Sequence, residues 1–138
     1  MVSITGDKEV QWQQDKPDEP LDRLQKRTFS YLRHLILLNL NTGPQSINQI
    51  SINSGINWKT VENHLIHLIG KELVKISLRT TFLKIYELTD KGRAYLDFVK
   101  MRYNKEHLDE LDLGSLEPLS TLEYEFSIAY HQLRGGML

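Results

Sequence analysis

Residues 46–88, SINQISINSGINWKTVENHLIHLIGKELVKISLRTTFLKIYEL, constrain the fold more than any other part of the chain. Ser46 and Gln49 have the S-x-x-Q spacing of a capping box, in which each side chain satisfies the other residue's free backbone N–H, so a helix starts at Ile47. Ile47 and Ile50 share one side of it, with Ser51 small enough to let a second helix approach. Gly55 stops it, because a left-handed C′ position suits a residue without Cβ. Asn57 then caps the next helix, and Ile56 staples onto Val61 across that cap.

At 100° per residue, Trp58, Val61, Leu65, Leu68 and Ile69 fall on one side of this second helix and are expected to face inward. The opposite side holds Lys59, Asn63, Ile66 and Gly70, flanked by Thr60 and His67. Its polar inventory is one cation, amide and hydroxyl groups and an imidazole, with Glu62 as the only carboxylate, off to the flank. Such a set suits phosphate oxygens and base edges.

The flanking segments follow. Residues 1–20 are polar, contain Pro17 and Pro20, show no period and read as a flexible acidic arm. A helix over Leu21 to Asn41 is marked by Leu24, Thr28, Leu32, Leu35, Ile36 and Asn39, and Thr-Gly-Pro at 42–44 ends it. Strands at 73–78 and 82–88 make a hairpin through Leu78-Arg79-Thr80-Thr81. Thr89 caps a further helix whose stripe is Tyr95, Leu96, Val99 and Tyr103, extending through Leu108 and Leu111 toward Gly114. Ser120 and Glu123 form a second capping box, and Leu122, Phe126, Ala129, Tyr130 and Leu133 line a last helix. The expected class is mainly α with a small β-hairpin, α+β.

Charge divides the chain. Residues 21–105 carry fourteen Lys or Arg against six acids, a net +8, between ends of −3 (residues 1–20) and −6 (residues 106–138). A basic middle between acidic ends points to a polyanion partner. Cysteine is absent, which removes disulfides, thiolate metal sites and a thiol nucleophile. The longest apolar run, Leu35–Leu38, is far below the roughly 18 residues of a membrane span. The opening MVSITGDKEVQW lacks the basic-then-apolar form of a secretion leader, so a cytoplasmic, non-membrane protein is expected. His64 and His67 have a spacing seen in metal sites, but no third or fourth ligand accompanies them, so neither metal nor cofactor is expected. No phosphate loop, nucleophile elbow or zinc-protease motif is present, and catalysis has no support.

Helix, short helix, turn, helix, hairpin, helix is the order of the winged helix-turn-helix fold. The run I56-N57-W58-K59-T60-V61-E62-N63-H64-L65-I66-H67-L68 followed by L73-V74 resembles the recognition helix and first wing strand of winged-helix regulators. Y86-E87-L88-T89-D90-K91-G92-R93-A94-Y95-L96 resembles their Y-x-L-T-x-K-G exit from the wing into the next helix. The likeness covers about residues 24–100, and is greatest to small archaeal or bacterial regulators that dimerise through helices outside the core. One departure is Glu72, where the family has glycine before L-V; Gly70 is a candidate to compensate.

The resemblance implies a DNA-binding transcriptional regulator in which a recognition helix, about 57–71, enters the major groove of double-stranded DNA and a wing, about 78–84, meets backbone or minor groove. Carried over by position, Asn57, Lys59, Thr60, Asn63 and His67 face the groove, with Asn63 a reader of adenine and Lys59 a phosphate contact. Ile66 either touches a thymine methyl or covers the core edge. Arg79, Thr80, Thr81 and Lys84 are offered by the wing. Residues 21–105 form the winged-helix domain and 106–138 an acidic linker and C-terminal helix. Leu96, Val99, Tyr103, Leu122, Phe126 and Tyr130 exceed one small core; either a homodimer buries them or the last helix packs back on its own domain. The acidic tail is also a candidate cover for the basic face. The alternative function is a winged-helix protein–protein module that touches no nucleic acid. The operator, the regulated process and any small-molecule effector are not encoded in a readable way.

Overall fold

A computed structural model of the chain describes the backbone of residues 21–136 and the side chains of 29–133; the expected arm at 1–20 lies outside the described residues. Helix α1 (Leu21–Leu40) turns Ile36, Leu37 and Leu40 into the core and stops before Thr42-Gly43-Pro44. A two-residue strand, β1 (Gln45–Ser46), follows and was not expected. It is fixed by the buried Gln45 amide, whose Nε2 donates to Asn39 O (2.7 Å) and Thr42 Oγ1 (3.1 Å) and whose Oε1 accepts from Asn53 Nδ2 (3.2 Å). A buried amide is stable only when its donors and acceptor are used in this way.

Helix α2 (Ile47–Ser54) begins with the expected capping box: Gln49 N donates to Ser46 Oγ (3.2 Å) and Ser46 N to Gln49 Oε1 (2.9 Å). Gly55 ends it at φ 75°, in the left-handed region. Helix α3 (Trp58–Gly70) is capped by Asn57, whose side-chain oxygen accepts from Lys59 N (2.8 Å). Strands β2 (Val74–Arg79) and β3 (Lys84–Leu88) pair antiparallel, and β1 joins the far edge of β3 to give the order β1-β3-β2. Ile76 pairs with Tyr86 and Leu78 with Ile85, so Ser77 is an extra residue, a bulge that raises the twist of the outer hairpin.

The end of α3 shows how the chain manages without glycine. Leu73 N donates to Leu68 O (3.0 Å) and Glu72 N to Ile69 O (2.9 Å), the paired bonds of a Schellman cap, with Leu68 and Leu73 both buried beside them. Glu72 occupies the left-handed position itself, at φ 65°. Gly70 plays no part in the reversal, being the last helical residue. Helix α4 (Asp90–Arg102) is capped by Thr89, whose Oγ1 accepts from Gly92 N (2.9 Å) and donates to Glu72 O. A Cβ on Gly92 would overlap the backbone carbonyl of Leu73, so this glycine lets α4 close onto the wing's base.

Two expectations about the C-terminal third fail. Helix α4 stops at Arg102 rather than running toward Gly114: Asn104 turns left-handed at φ 56°, and two short 3-10 turns (Leu108–Glu110, Leu113–Ser115) follow. Helix α5 (Leu119–Gly136) begins with Thr121 N and Leu122 N donating to Pro118 O, which leaves Ser120 inside the first turn. Glu123 accordingly does not reach back to Ser120, and instead accepts from Ser127 Oγ (2.9 Å) and Lys71 Nζ (3.5 Å).

Helix α5 docks on its own chain. Leu119 N donates to Ser30 Oγ (2.9 Å); His34 Nδ1 lies 3.0 Å from Ser30 O, and His34 Nε2 lies 2.7 Å from Tyr95 Oη. Because the Ser30 partner is a carbonyl oxygen, the imidazole proton sits on Nδ1 and Nε2 accepts from the tyrosine. This buried chain ties α5 to α1 and α4, and burial drives the His34 pKa down to about 4. Phe126 meets Tyr95 edge-on, with ring centroids 5.5 Å apart. Leu96, Val99, Leu122 and Phe126 are therefore core residues of this chain, which leaves them no face for a dimer contact, and Tyr103 and Tyr130, half-buried, pack against that core. The polar chain through Ser30 seats α5 in cis, which sequence periodicity alone had not decided.

Candidate nucleic-acid interface

The inner and outer sides of α3 follow from its burial. Val61, His64, Leu65 and Leu68 are buried, so the apolar stripe is rotated from the expected one toward His64. Trp58, expected inward, is 53 % exposed because it sits at the first helical position on the edge of that stripe. His64 is held there by Arg33 of α1, whose Nε donates to His64 Nδ1 (3.1 Å), and by the Phe29 ring, edge-on at 5.7 Å. Burial first, then the Arg33 charge, lowers the His64 pKa. His67 is lowered too, by burial, then Arg33 and Lys71, with Glu123 opposing. Neither imidazole therefore adds a cation to the surface at neutral pH.

The outer side presents Lys59, Asn63, Ile66 and Gly70, all exposed, with Thr60 and His67 half-buried on its flank. Among the described residues Asn63 has no side-chain hydrogen-bond partner, so both its donor and its acceptor are open. Lys59 Nζ lies 3.4 Å from Glu62 Oε1 and 5.8 Å from the Trp58 ring centroid, which holds it beside the helix start. Asn57 uses one lone pair of its oxygen on the cap, which leaves the second lone pair and its NH2 group for another partner. Ile66 is exposed and covers no core edge.

The wing stands next to this face. A groove of about 320 Å³ lies between the hairpin tip (residues 80–84), the start of α2 (residues 46–48) and Trp58 and Glu62 of α3. Arg79, Thr80, Thr81 and Lys84 are all exposed. Thr80 is internally engaged, its Oγ1 accepting from Leu83 N (3.0 Å), whereas the side chains of Arg79, Thr81 and Lys84 have no hydrogen-bond or ion-pair partner among the described residues. The acidic tail does not cover this surface. Glu117 and Glu125 pair with Arg102 (2.9 and 3.2 Å) and Glu123 with Lys71 (3.5 Å), and no acid among the described residues pairs with Arg79 or Lys84. Two contributors escaped sequence reading: Arg33, whose role depends on a contact with His64 thirty-one residues away, and Phe82, an exposed ring at the wing tip.

The fold can be set beside known proteins. A model of the winged helix-turn-helix family matches residues 26–107. Among solved structures, overoxidized AbfR bound to DNA is 20% identical, with 98% of each chain covered and a TM-score of 0.52. A MarR family transcriptional regulator from Silicibacter pomeroyi DSS is 17% identical, covering 83% of this chain and 76% of that one, at a TM-score of 0.51. The reduced transcriptional regulator YodB from B. subtilis is 32% identical over 51% of this chain and 74% of that chain, at a TM-score of 0.44. No curated protein matches. The helix-turn-helix of α2 and α3, the β2–β3 wing behind them and the family match across more than half of the sequence establish that the chain belongs to the winged helix-turn-helix family.

Proposed function

We propose that this protein is a DNA-binding transcriptional regulator that places α3 in the major groove and the β2–β3 wing on the adjacent backbone or minor groove. The observation that carries this reading is an open Asn63 amide on α3 together with Arg79 and Lys84 on the wing, unpaired among the described residues, on two elements that line one groove. Asn63 pairs with adenine N6 and N7. Lys59 and the free N–H groups of the α3 start hold a phosphate. Thr60, His67 and the Asn57 NH2 group add neutral hydrogen bonds at the edge, and Thr81, Arg79 and Lys84 grip the second stretch of backbone. That one solved neighbour of this fold is described as a transcriptional regulator, and another as bound to DNA, is consistent with this use of it.

The unit that binds is residues 21–105, and the protein acts in the cytoplasm as a homodimer, which presents two α3 helices to half-sites about 34 Å apart. Its dimer contact uses side chains that the core leaves out: Tyr124 and Ile128, one turn apart on α5, and Leu133 where α5 runs past the core. Sedimentation of the wild type and of a Tyr124→Glu, Ile128→Glu double variant tests this; the variant is expected to be monomeric, and an unchanged mass would refute that contact.

Titration of duplex DNA at two salt concentrations tests the function. Binding is expected to weaken steeply with salt, and Arg79→Ala to lower the slope of log K against log salt by about one. Salt-independent binding, or no binding at low salt, would refute it.

A further inference from the structure

The wing tip carries a group that phosphate contacts do not explain. Phe82 is 97 % exposed, and the turn beneath it is closed on both sides: Thr80 N donates to Leu83 O (2.8 Å) and Leu83 N donates to Thr80 Oγ1 (3.0 Å). Thr81 and Phe82 are the two residues held out beyond that closure. A lone exposed apolar side chain needs no explanation. Here, however, the exposed Leu83 and Trp58 line one groove with it, and Arg79 and Lys84, a cross-strand pair at the base of the tip, have no ion-pair partners among the described residues. The one carboxylate of the groove, Glu62, is already matched by Lys59 (3.4 Å). An apolar tip set beyond two cations that are unpaired among the described residues is complementary to one target in particular, a base step bordered by phosphates.

We propose that Phe82 is a minor-groove wedge: the wing lowers it between two neighbouring base pairs, partly unstacks them and kinks the duplex, while Arg79 and Lys84 hold the phosphates on either side. This rests on the DNA-binding reading above. Apolar side chains inserted between base steps bend DNA in this manner, and the Ser77 bulge twists the outer hairpin that carries the ring. Pyrimidine–purine steps unstack most readily, so the base pairs beneath the wing are expected to include TA or CA/TG. The position thus selects sequence through deformability, without a hydrogen bond to any base.

The test uses the full chain and a duplex selected from random DNA by its affinity for the wild type, with a dye at each end. Wild-type binding is expected to raise energy transfer between the ends as the duplex bends. Phe82→Ala is expected to weaken binding about tenfold and to abolish that rise, with the salt slope unchanged. Phe82→Leu restores part of the bend, and Arg79→Ala does the reverse, lowering the slope and keeping the bend. A duplex that stays straight with the wild type, or bends equally with Phe82→Ala, overturns the wedge and leaves the DNA-binding reading standing. A salt slope that falls in Phe82→Ala assigns the ring to holding the wing in shape and also overturns it. Failure of the wild type to bind DNA, or binding indifferent to salt, removes both.

Discussion

Acidification is expected to unfold this protein through His34 before general carboxylate protonation does so. The imidazole is buried and accepts from Tyr95 Oη (2.7 Å) while its Nδ1–H is used on Ser30 O (3.0 Å), so the folded state has no place for a second proton. Its pKa is pushed down from 6.5 to about 4 by burial, with the Ser30 contact opposing. The unfolded chain therefore binds a proton at a pH where the folded chain does not, and stability must fall as pH drops from about 6.5 toward 4. At 1.36 kcal/mol per pH unit, this one group withdraws about 3 kcal/mol over that window, a large share of the 5–15 kcal/mol of a typical domain. His64 and His67, lowered in the same direction by burial and neighbouring cations, add to the fall. Urea denaturation at pH 7, 5.5 and 4 measures it, with His34→Gln as the comparison. The wild type should lose stability across the series and the variant, weaker at pH 7, should lose markedly less. Equal pH dependence in the two proteins would refute the assignment of the proton to His34.

Other substitutions probe the helix ends. Glu72→Gly should stabilise the protein by a few tenths to about 1 kcal/mol, because relief of the left-handed strain at φ 65° exceeds the added freedom of the unfolded chain and the loss of an exposed 3.7 Å contact with Lys91; a lower thermal midpoint would contradict this. Gly92→Ala should destabilise by about 2 kcal/mol or more, since its Cβ collides with the Leu73 carbonyl, a backbone atom that cannot move aside alone; a midpoint unchanged in calorimetry would show that α4 shifts freely. Tyr95→Phe should cost about 1–3 kcal/mol by leaving His34 Nε2 buried without a donor, read from the same urea curves.

What sequence reading recovered was local. The Ser46–Gln49 box, the Gly55 stop, the Asn57 and Thr89 caps and the hairpin all depend on residues within a few positions of each other, and each is where its chemistry placed it. The outer face of α3 was readable for the same reason, as the remainder once an apolar stripe is subtracted. Its exact rotation was not, because His64 is buried by an arginine from α1, and a histidine counts as polar until that partner is known. Helix α4 was read too long because no glycine or proline interrupts the sequence between Arg93 and Leu113, and nothing local reports that Asn104 has turned left-handed. The largest miss, the use of Leu122 and Phe126, lies in the distance between Ser30 and Leu119 along the chain: the hydroxyl that seats α5 belongs to another helix. Strand β1 was missed because two residues carry no period.

Amide NMR of the full chain during titration with the selected duplex shows whether α3 and the wing together read DNA. Perturbations are expected to concentrate at Asn57–Gly70 and at residues 79–84, with the Asn63 side-chain amide shifted or protected and Leu122 and Phe126 unmoved. Perturbations centred on α5, with α3 and the wing silent, would contradict this expectation.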